Sequence, residues 1–461
     1  RTLSMMDSIK SRIHRRVNLD NIRLRRMVYR SNYPELRFKN IIIDGANTQQ
    51  QAYIKKEFHK SDNKEFSYED LKQGYFRLLS DNMISEIIPH AIYNPEDDTY
   101  DLHLKVKLEN NFAVRLGGNI STSNSNQIYL GLSYQDLNYY AKEFVFDGQL
   151  GKVYNNAQFM AKIDFSTAIP TSYRFIASIS TFDYFKKDKL FSRNDKPAFN
   201  QKDERFLKLQ VGLPFLSSKR AEFGIGIARI EDKYFQKSVI DFGNDKFDKS
   251  RYDLFGGSIS FNGSTLNSRQ YPTRGYREAL IAQIFIGRER FYPGEGATGN
   301  NNKEHHSWLQ LSYMKEKYHN MSEHWVLGWY LKALYASKNF SENYTATMMQ
   351  AGEFSPTQHS KLTYNEAFRA NQFVGAGIRP IYRLNQMFHL RGEFYGFMPI
   401  YPIERNSLNK AYYGKAFSKF EYLGEISVVC QLPFGDISAY VNHYSSPKRE
   451  WNVGLSIGWQ L

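Results

Sequence analysis

From about Asn111 to Leu461 the chain is a succession of short segments in which apolar and polar side chains alternate. The last is faultless. Trp451, Val453, Leu455, Ile457, Trp459 and Leu461 fall on one side of an extended strand, and Asn452, Gly454, Ser456, Gly458 and Gln460 on the other. Ala157, Phe159, Ala161, Ile163 and Phe165 stand in the same way against Gln158, Lys162 and Asp164. Trp325, Leu327, Trp329, Leu331 and Tyr335 make a third apolar face, and Leu207, Leu209, Val211 and Leu213 a fourth. A period of two marks strands with one apolar side and one wet side. Roughly sixteen such segments can be counted. They start near Phe112, Gln127, Ala141, Asn155, Ser172, Glu204, Lys219 and Arg251, then near Gly275, Ser307, Glu323, Asn371, Met387, Phe417, Asp436 and Trp451.

The connections sort by length. After odd-numbered strands several are long and polar: 184–203, 233–249, 288–304, 338–369 and 400–415. After even-numbered strands they are mostly tight, as at Leu137-Asn138, Leu384-Asn385 and Pro433-Phe434-Gly435, with 263–274 the one longer exception. Long loops at one end, short turns at the other and an even strand count describe a transmembrane antiparallel β-barrel over 111–461. A soluble sandwich or propeller has no reason to segregate its loops in this way.

Residues 36–110 follow a different grammar. Leu36 to Ile43 reads as a strand closed by Asp44-Gly45, and a helix carries Tyr53, Ile54 and Phe58. Ser67 and Asp70 form a capping-box pattern, flanked by a Phe66–Leu71 staple and followed by an apolar stripe of Leu71, Tyr75, Leu78 and Leu79. Strands near Glu86–Tyr93 and Tyr100–Leu108 complete a small α+β unit. Residues 1–35 are rich in arginine, and Met6, Ile9 and Ile13 fall at helical spacing. This segment reads either as a solvated basic linker or as a helix touching anionic lipid headgroups.

Composition fits two-faced strands: 33 Tyr and 34 Phe bring aromatics to 16%, yet the mean hydropathy is −0.57. No stretch approaches the roughly 18 consecutive apolar residues of a membrane-spanning helix. The single cysteine, Cys430, excludes an internal disulfide framework and a multi-cysteine metal site. A formal charge of +14 admits anionic lipid, acidic polysaccharide or nucleic acid as neighbours. The basic residues are scattered and cluster only at the start, so nucleic acid is set aside. The chain starts at Arg1 without a signal-peptide pattern, which reads as a mature or truncated product.

Catalytic signatures are not found in the sequence. No Gly-x-Ser-x-Gly elbow occurs; Gly256-Gly257-Ser258-Ile259-Ser260 fails at its last position. Asp44-Gly45-Ala46 reads as a turn. The pair His305-His306 has no nearby Cys, Asp or Glu at ligand spacing and sits in a predicted outer loop, so no metal site, cofactor or catalytic residue is expected.

Tyr271-Pro272-Thr273-Arg274-Gly275 stands before the ninth strand, the longest loop lies between the eleventh and twelfth, and the chain given closes on a strand. Together with the 36–110 unit, these features resemble the outer-membrane assembly and two-partner-secretion superfamily, in which a periplasmic POTRA module precedes a sixteen-stranded barrel. The turn Pro272, Thr273, Arg274 and Gly275 resembles that family's turn before strand nine. The face Trp451, Val453, Leu455, Ile457, Trp459 and Leu461 resembles its terminal assembly signal, read by the machinery that inserts such barrels. The departures are Phe368-Arg369-Ala370-Asn371 in place of Val-Arg-Gly-Phe/Tyr, Leu461 in place of a terminal aromatic, and one POTRA module where the central assembly protein strings several.

The runs Leu24–Arg30, Leu36–Gly45 and Gln51–Ile54 further resemble the junction that joins lipase domain to POTRA module in barrel-bearing patatin-like phospholipases. That resemblance implies an anchoring or translocating unit whose lipase domain lies outside this chain. The alternatives are an assembly or secretion barrel for other client polypeptides, and a scaffold subunit of a surface complex or homo-oligomer. Outer-membrane lipids are partners in every case.

On the thirteenth strand Phe388, Leu390 and Phe394 share one face, and His389, Arg391, Glu393 and Tyr395 the other. The polar face must point inward, because an Arg or Lys facing mid-bilayer lipid costs about 2–4 kcal/mol. The family resemblance implies that Arg369 folds into the lumen, with Glu393 near its acidic partner. An Arg369–Glu393 contact would then pin the long loop inside; the alternative is that both residues line a wet lumen with other partners.

Overall fold

The computed structural model describes residues 11, 19–31, 36–58, 65–79, 81, 83–122, 126–165, 169–184, 200–215, 219–236, 246–295, 297, 301–361, 363–446 and 451–460. Two compact units meet at Glu109/Asn110 in the sequence.

The first unit starts with helix α1 (Leu19–Ser31), on which Arg23, Arg25, Arg26 and Leu24 are exposed. Met6, Ile9 and Ile13 lie outside the described residues. Then come β1 (Arg37–Asp44), α2 (Thr48–Phe58), β2 (Phe66–Ser67), α3 (Tyr68–Leu79), β3 (Ile84–Asn94) and β4 (Thr99–Leu108). The sheet order is β2-β1-β4-β3, with β1 and β4 parallel. The capping box forms: Ser67 N–H donates to Asp70 at 3.0 Å, and Asp70 N–H donates back to Ser67 Oγ at 3.3 Å. Leu78 is buried as its spacing requires, but Leu79 is exposed. The position that packs instead is Gly74, where a Cβ would meet Phe58 at 2.5 Å. Phe38, Ile41, Ile43, Ile54, Leu102 and Leu104 fill the core. Asp44-Gly45 is a turn, with φ +87° at Gly45.

The second unit is a closed barrel of sixteen antiparallel strands. In order they are β5 (Phe112–Ser121), β6 (Gln127–Leu137), β7 (Ala141–Gly151), β8 (Tyr154–Phe165), β9 (Thr171–Asp183) and β10 (Asn200–Phe215). Next come β11 (Lys219–Tyr234), β12 (Asp248–Ser264), β13 (Gly275–Tyr292), β14 (Asn302–Asn320) and β15 (Trp325–Ala336). A long loop carries α4 (Tyr344–Gln350), β16 (Gly352–Glu353) and β17 (Arg369–Ala370) before β18 (Gln372–Arg383) and β19 (Phe388–Pro399). A small hairpin, β20 (Ile403–Arg405) and β21 (Ala411–Tyr413), precedes β22 (Glu421–Leu432), β23 (Gly435–Tyr444) and β24 (Trp451–Gln460).

Several strands outrun their sequence signal at the long-loop end. β10 begins at Asn200, β13 runs on to Tyr292 and β14 begins at Asn302. There both faces are polar, so alternation no longer marks the strand, although the pairing continues through Arg290↔Lys303.

Outward positions make an exposed apolar belt. Leu209, Ile225 and Ile284 stand in adjoining register, with Leu309 beside them. Trp451, Val453, Leu455 and Ile457 also face outward and are exposed, while Leu461 lies outside the described residues. No described helix is long and apolar enough to cross a membrane. The belt is what a lipid-facing barrel wall requires.

Candidate functional site: a lumen filled from both ends

The loop between β15 and β18 folds into the barrel. Ala346 and Met349 of α4 pack against the inward rings of Tyr234 and Phe291. Deeper, Phe354 and Phe368 join Tyr330, Phe373, Tyr395 and Phe397 in one buried cluster. The wall makes room for it: a Cβ on Gly375 would lie 2.2 Å from the Phe354 ring. Near its start the loop is tied to the wall. Tyr252 Oη donates to Glu289 at 3.1 Å and lies 2.8 Å from Ser341 Oγ. The buried Lys338 ammonium sits over the Trp308 ring at 4.7 Å, and burial pushes its pKa down to about 8.

From the other end, the turn 265–274 also enters the lumen. Asn267 Oδ1 accepts from Thr273 N–H and Arg274 N–H, both at 2.9 Å. Gly275 has φ +89°, and a Cβ there would lie 2.1 Å from Thr265 O, so only glycine fits. Tyr271 Oη donates to Ser438 at 2.9 Å, and Gln358 of the loop donates to Gln270 O at 2.7 Å. The two plugging segments therefore touch.

Between them lies a buried polar network on the wall. Arg379 of β18 pairs with Glu316 of β14 and reaches Glu393 of β19 at 3.5 Å. Arg391 of β19 pairs with Glu393, which also accepts from Tyr395 Oη. Tyr318 Oη accepts from both arginines. Each arginine also holds one plug. Arg379 Nη2 donates to Pro356 O in the loop at 3.2 Å, and Arg391 Nη1 donates to Pro272 O in the turn at 2.8 Å. All six side chains are buried. Within the buried set two cations are matched by two carboxylates, with tyrosine hydroxyls on the remaining sites, and the half-exposed Arg277 also reaches Glu316 at 2.8 Å, which is what burial of charge demands.

The inward face His389, Arg391, Glu393 and Tyr395 is as the pattern requires. The Arg369–Glu393 contact is not. Arg369 is buried inside the barrel but pairs with Glu353 at 2.6 Å, stacks over the Tyr364 ring at 4.6 Å, and donates to the carbonyls of Met348, Met349 and Ala351 at 3.3–3.4 Å. It caps the carbonyl end of α4, so it staples the loop to itself. The reason is register: Glu353 lies directly opposite Arg369 in the β16–β17 pair, while Glu393 is taken by wall arginines. Sequence reading missed Arg379 and Glu316. Glu316 is masked by its flanking lysines 315 and 317, and Arg379 by the turn-like Pro380 beside it. The available signal was Arg379 sharing parity with Phe373, Gly375 and Gly377 on the inward face.

His305 and His306 are strand residues of β14, on opposite faces. His305 is exposed, whereas His306 is buried with Nε2 2.9 Å from Glu289 Oε2 and 3.9 Å from Glu304. The expectation of no acid at ligand spacing fails on two counts: Glu304 stands two residues before His306 on the same face of β14, and Glu289 is brought in by cross-strand register opposite Glu304.

The seam that closes the barrel is short. Among the described residues, β24 and β5 share five register pairs, against sixteen between β10 and β11. Thr122 and Leu455 add one exchange beyond them.

No protein-family model matches the chain. No curated protein matches it either. Solved structures do. BamA from Haemophilus ducreyi lacking POTRA domains 1–3 superposes with a TM-score of 0.63 at 12% identity, over 92% of this chain and 85% of that one. CdiB from Escherichia coli gives 0.54 at 11% identity, over 93% and 77%, and CdiB from Acinetobacter baumannii 0.53 at 8%, over 93% and 74%. The likeness is one of fold. This chain has the small-module-plus-sixteen-strand architecture of those barrels.

Proposed function

We propose that the protein is an outer-membrane barrel that inserts or exports polypeptides, with its POTRA-like module on the periplasmic side. The observation that carries this reading is the five-pair seam on a barrel whose lumen is occupied by the β15–β18 loop and the 265–274 turn. A lumen so obstructed does not suit a simple diffusion pore. Among the barrel strand pairs whose register is described the seam is the shortest, and every backbone group opened to lipid costs several kcal/mol, so five pairs open far more easily than sixteen. Among the described residues β3 is an edge strand, and it offers its free edge and the side chains of Ile88 and Ile92 to an extended client. The fold shared with BamA and CdiB supports the same reading.

The test is a seam lock. Ile120 and Ile457 are register partners and both are exposed, so Ile120→Cys with Ile457→Cys in a Cys430→Ser background can be oxidised across the seam. Proteoliposomes carrying the reduced protein should fold an urea-denatured eight-stranded barrel client at least about 10-fold faster than empty vesicles, a difference of about 1.4 kcal/mol in barrier. Oxidation should remove the acceleration and reductant restore it. Equal rates in the two redox states would refute the seam route, and no acceleration at all would refute insertase activity.

The finer reading is that this unit anchors a patatin-like lipase domain; the runs Leu24–Arg30 and Leu36–Gly45 support it. A fluorophosphonate serine probe applied to native outer membranes should then label a polypeptide that antibody against residues 36–110 also detects, while the 461-residue chain alone stays unlabelled. An antibody-reactive native polypeptide without label would count against the lipase.

A further inference from the structure

Where the apolar belt ends on β10–β14, the outer face turns abruptly cationic. Leu207, Ile227, Phe255 and Ile286 stand side by side in register. Two residues on, toward the long-loop end, the aligned positions are Arg205, Arg229, Asp253, Arg288 and His305. The next outward row is Asp203, Glu231, Arg251, Arg290 and Lys303. Cations outnumber carboxylates, and the carboxylates are already taken. Asp253 holds Arg229 at 2.7 Å with Arg251 and Arg290 at 3.6 and 3.8 Å, Glu231 holds Lys249 at 3.0 Å, and Asp203 holds Lys233 at 3.1 Å. Arg205 and Arg288 are exposed and have no ion pair or hydrogen bond among the described residues.

An open cleft of about 940 Å³ covers this boundary, walled by Phe159, Leu207 and Ile286 on the apolar side and by Arg205, Arg229 and Arg288 on the other. An arginine at the edge of a lipid-facing wall, with no carboxylate of its own, is held there at a cost unless an anion meets it. Guanidinium matches phosphate in shape and charge. The two free arginines are on β10 and β13, three strand spacings or about 14 Å apart, so one phosphate does not serve both well.

We propose that this cleft binds an amphiphile of the surrounding leaflet that carries two phosphate groups, its acyl chains lying on the Leu207–Ile286 floor and its phosphates meeting Arg205 and Arg288. The proposal rests on the lipid-facing wall alone and stands or falls independently of the polypeptide-handling reading.

Native mass spectrometry of the full chain in detergent, titrated with diphosphoryl lipid A, measures it. The wild type should retain one lipid through delipidation, and the monophosphoryl form should bind about 10-fold more weakly, as loss of one charge-assisted hydrogen bond implies. Arg205→Ser with Arg288→Ser should weaken the diphosphoryl form about 100-fold, because both phosphates then lack a guanidinium. Lys317→Ser, a single charge loss at the far end of β14, should leave binding unchanged. Arg205 and Arg288 make no ion pair among the described residues, so heat-modifiable migration should show every variant folded. Equal affinity for the two lipids, equal losses in the double and control variants, or displacement by millimolar pyrophosphate would each overturn the proposal, the last by showing an anion site with no lipid component.

Discussion

Replacing Glu393 by glutamine should cost the folded barrel about 3–5 kcal/mol, the usual penalty for leaving a buried ion-pair partner uncompensated. The variant should also raise its single-channel conductance. Glu393 is the carboxylate shared by Arg379 and Arg391. Glutamine keeps the volume and can still accept one hydrogen bond, so the effect isolates the charge. Arg379 would retain Glu316, but Arg391 would keep no carboxylate among the described residues. An arginine in that state either draws water into the wall or swings away, and in doing so releases Pro272 O and the turn it holds. Urea unfolding in lipid vesicles, followed by tryptophan fluorescence, gives the stability, and planar-bilayer recording gives the conductance. Glu393→Leu combined with Arg391→Met should recover most of the lost stability, because a buried pair replaced by apolar side chains of similar size is often neutral. Conductance should stay high in that double variant, since the donor to Pro272 O is gone. A Glu393→Gln protein within about 0.5 kcal/mol of wild type, the range of an ordinary surface change, would show that the network does not bear the charge balance assigned to it.

How the sequence disclosed the barrel and concealed this network has a single physical explanation. Alternation reports a difference between two faces, so it is clear where lipid lies on one side and water or polar side chains on the other. Trp451 to Ile457 and Leu207 to Leu213 are such places, and their strands are where the pattern put them. Where both faces are polar the signal vanishes, and β10, β13 and β14 run several residues beyond it. A face also says nothing about which of its members meet. His389, Arg391, Glu393 and Tyr395 were legible as one inward face, but that Arg379 and Glu316 join them is fixed by β14, β15, β18 and β19 closing in register. Arg369 shows the same limit from within a loop. Its inward placement followed from the family resemblance, while its partner followed from a two-residue β-bridge that no periodicity announces. The His306–Glu289 pair is a third case, invisible at sequence spacing and evident once Gly287 faces His306 across β13 and β14.

Arg369→Ala should leave the barrel assembled, loosen the plugging loop and raise conductance, and Glu353→Ala should do nearly the same. Arg369 satisfies the last carbonyls of α4, and Glu353 neutralises it at 2.6 Å. The helix spans only Tyr344–Gln350, too short to persist alone, so its order depends on that cap and on packing of Met349 against Phe291. A charge-assisted hydrogen bond in such a site contributes roughly 1.5–3 kcal/mol. The two single variants should therefore each lose about that much, and the double variant should be little worse than either, giving a coupling energy of comparable size. The informative contrast is a second cycle. Arg369 and Glu393 share no partner, so Arg369→Ala and Glu393→Ala should add to within about 0.5 kcal/mol. Coupling between Arg369 and Glu393 with additivity between Arg369 and Glu353 would reverse the assignment and return the loop arginine to the wall. The pattern expected here instead separates two devices: a staple that folds the loop onto itself, and wall arginines that hold the folded loop and the turn beneath it.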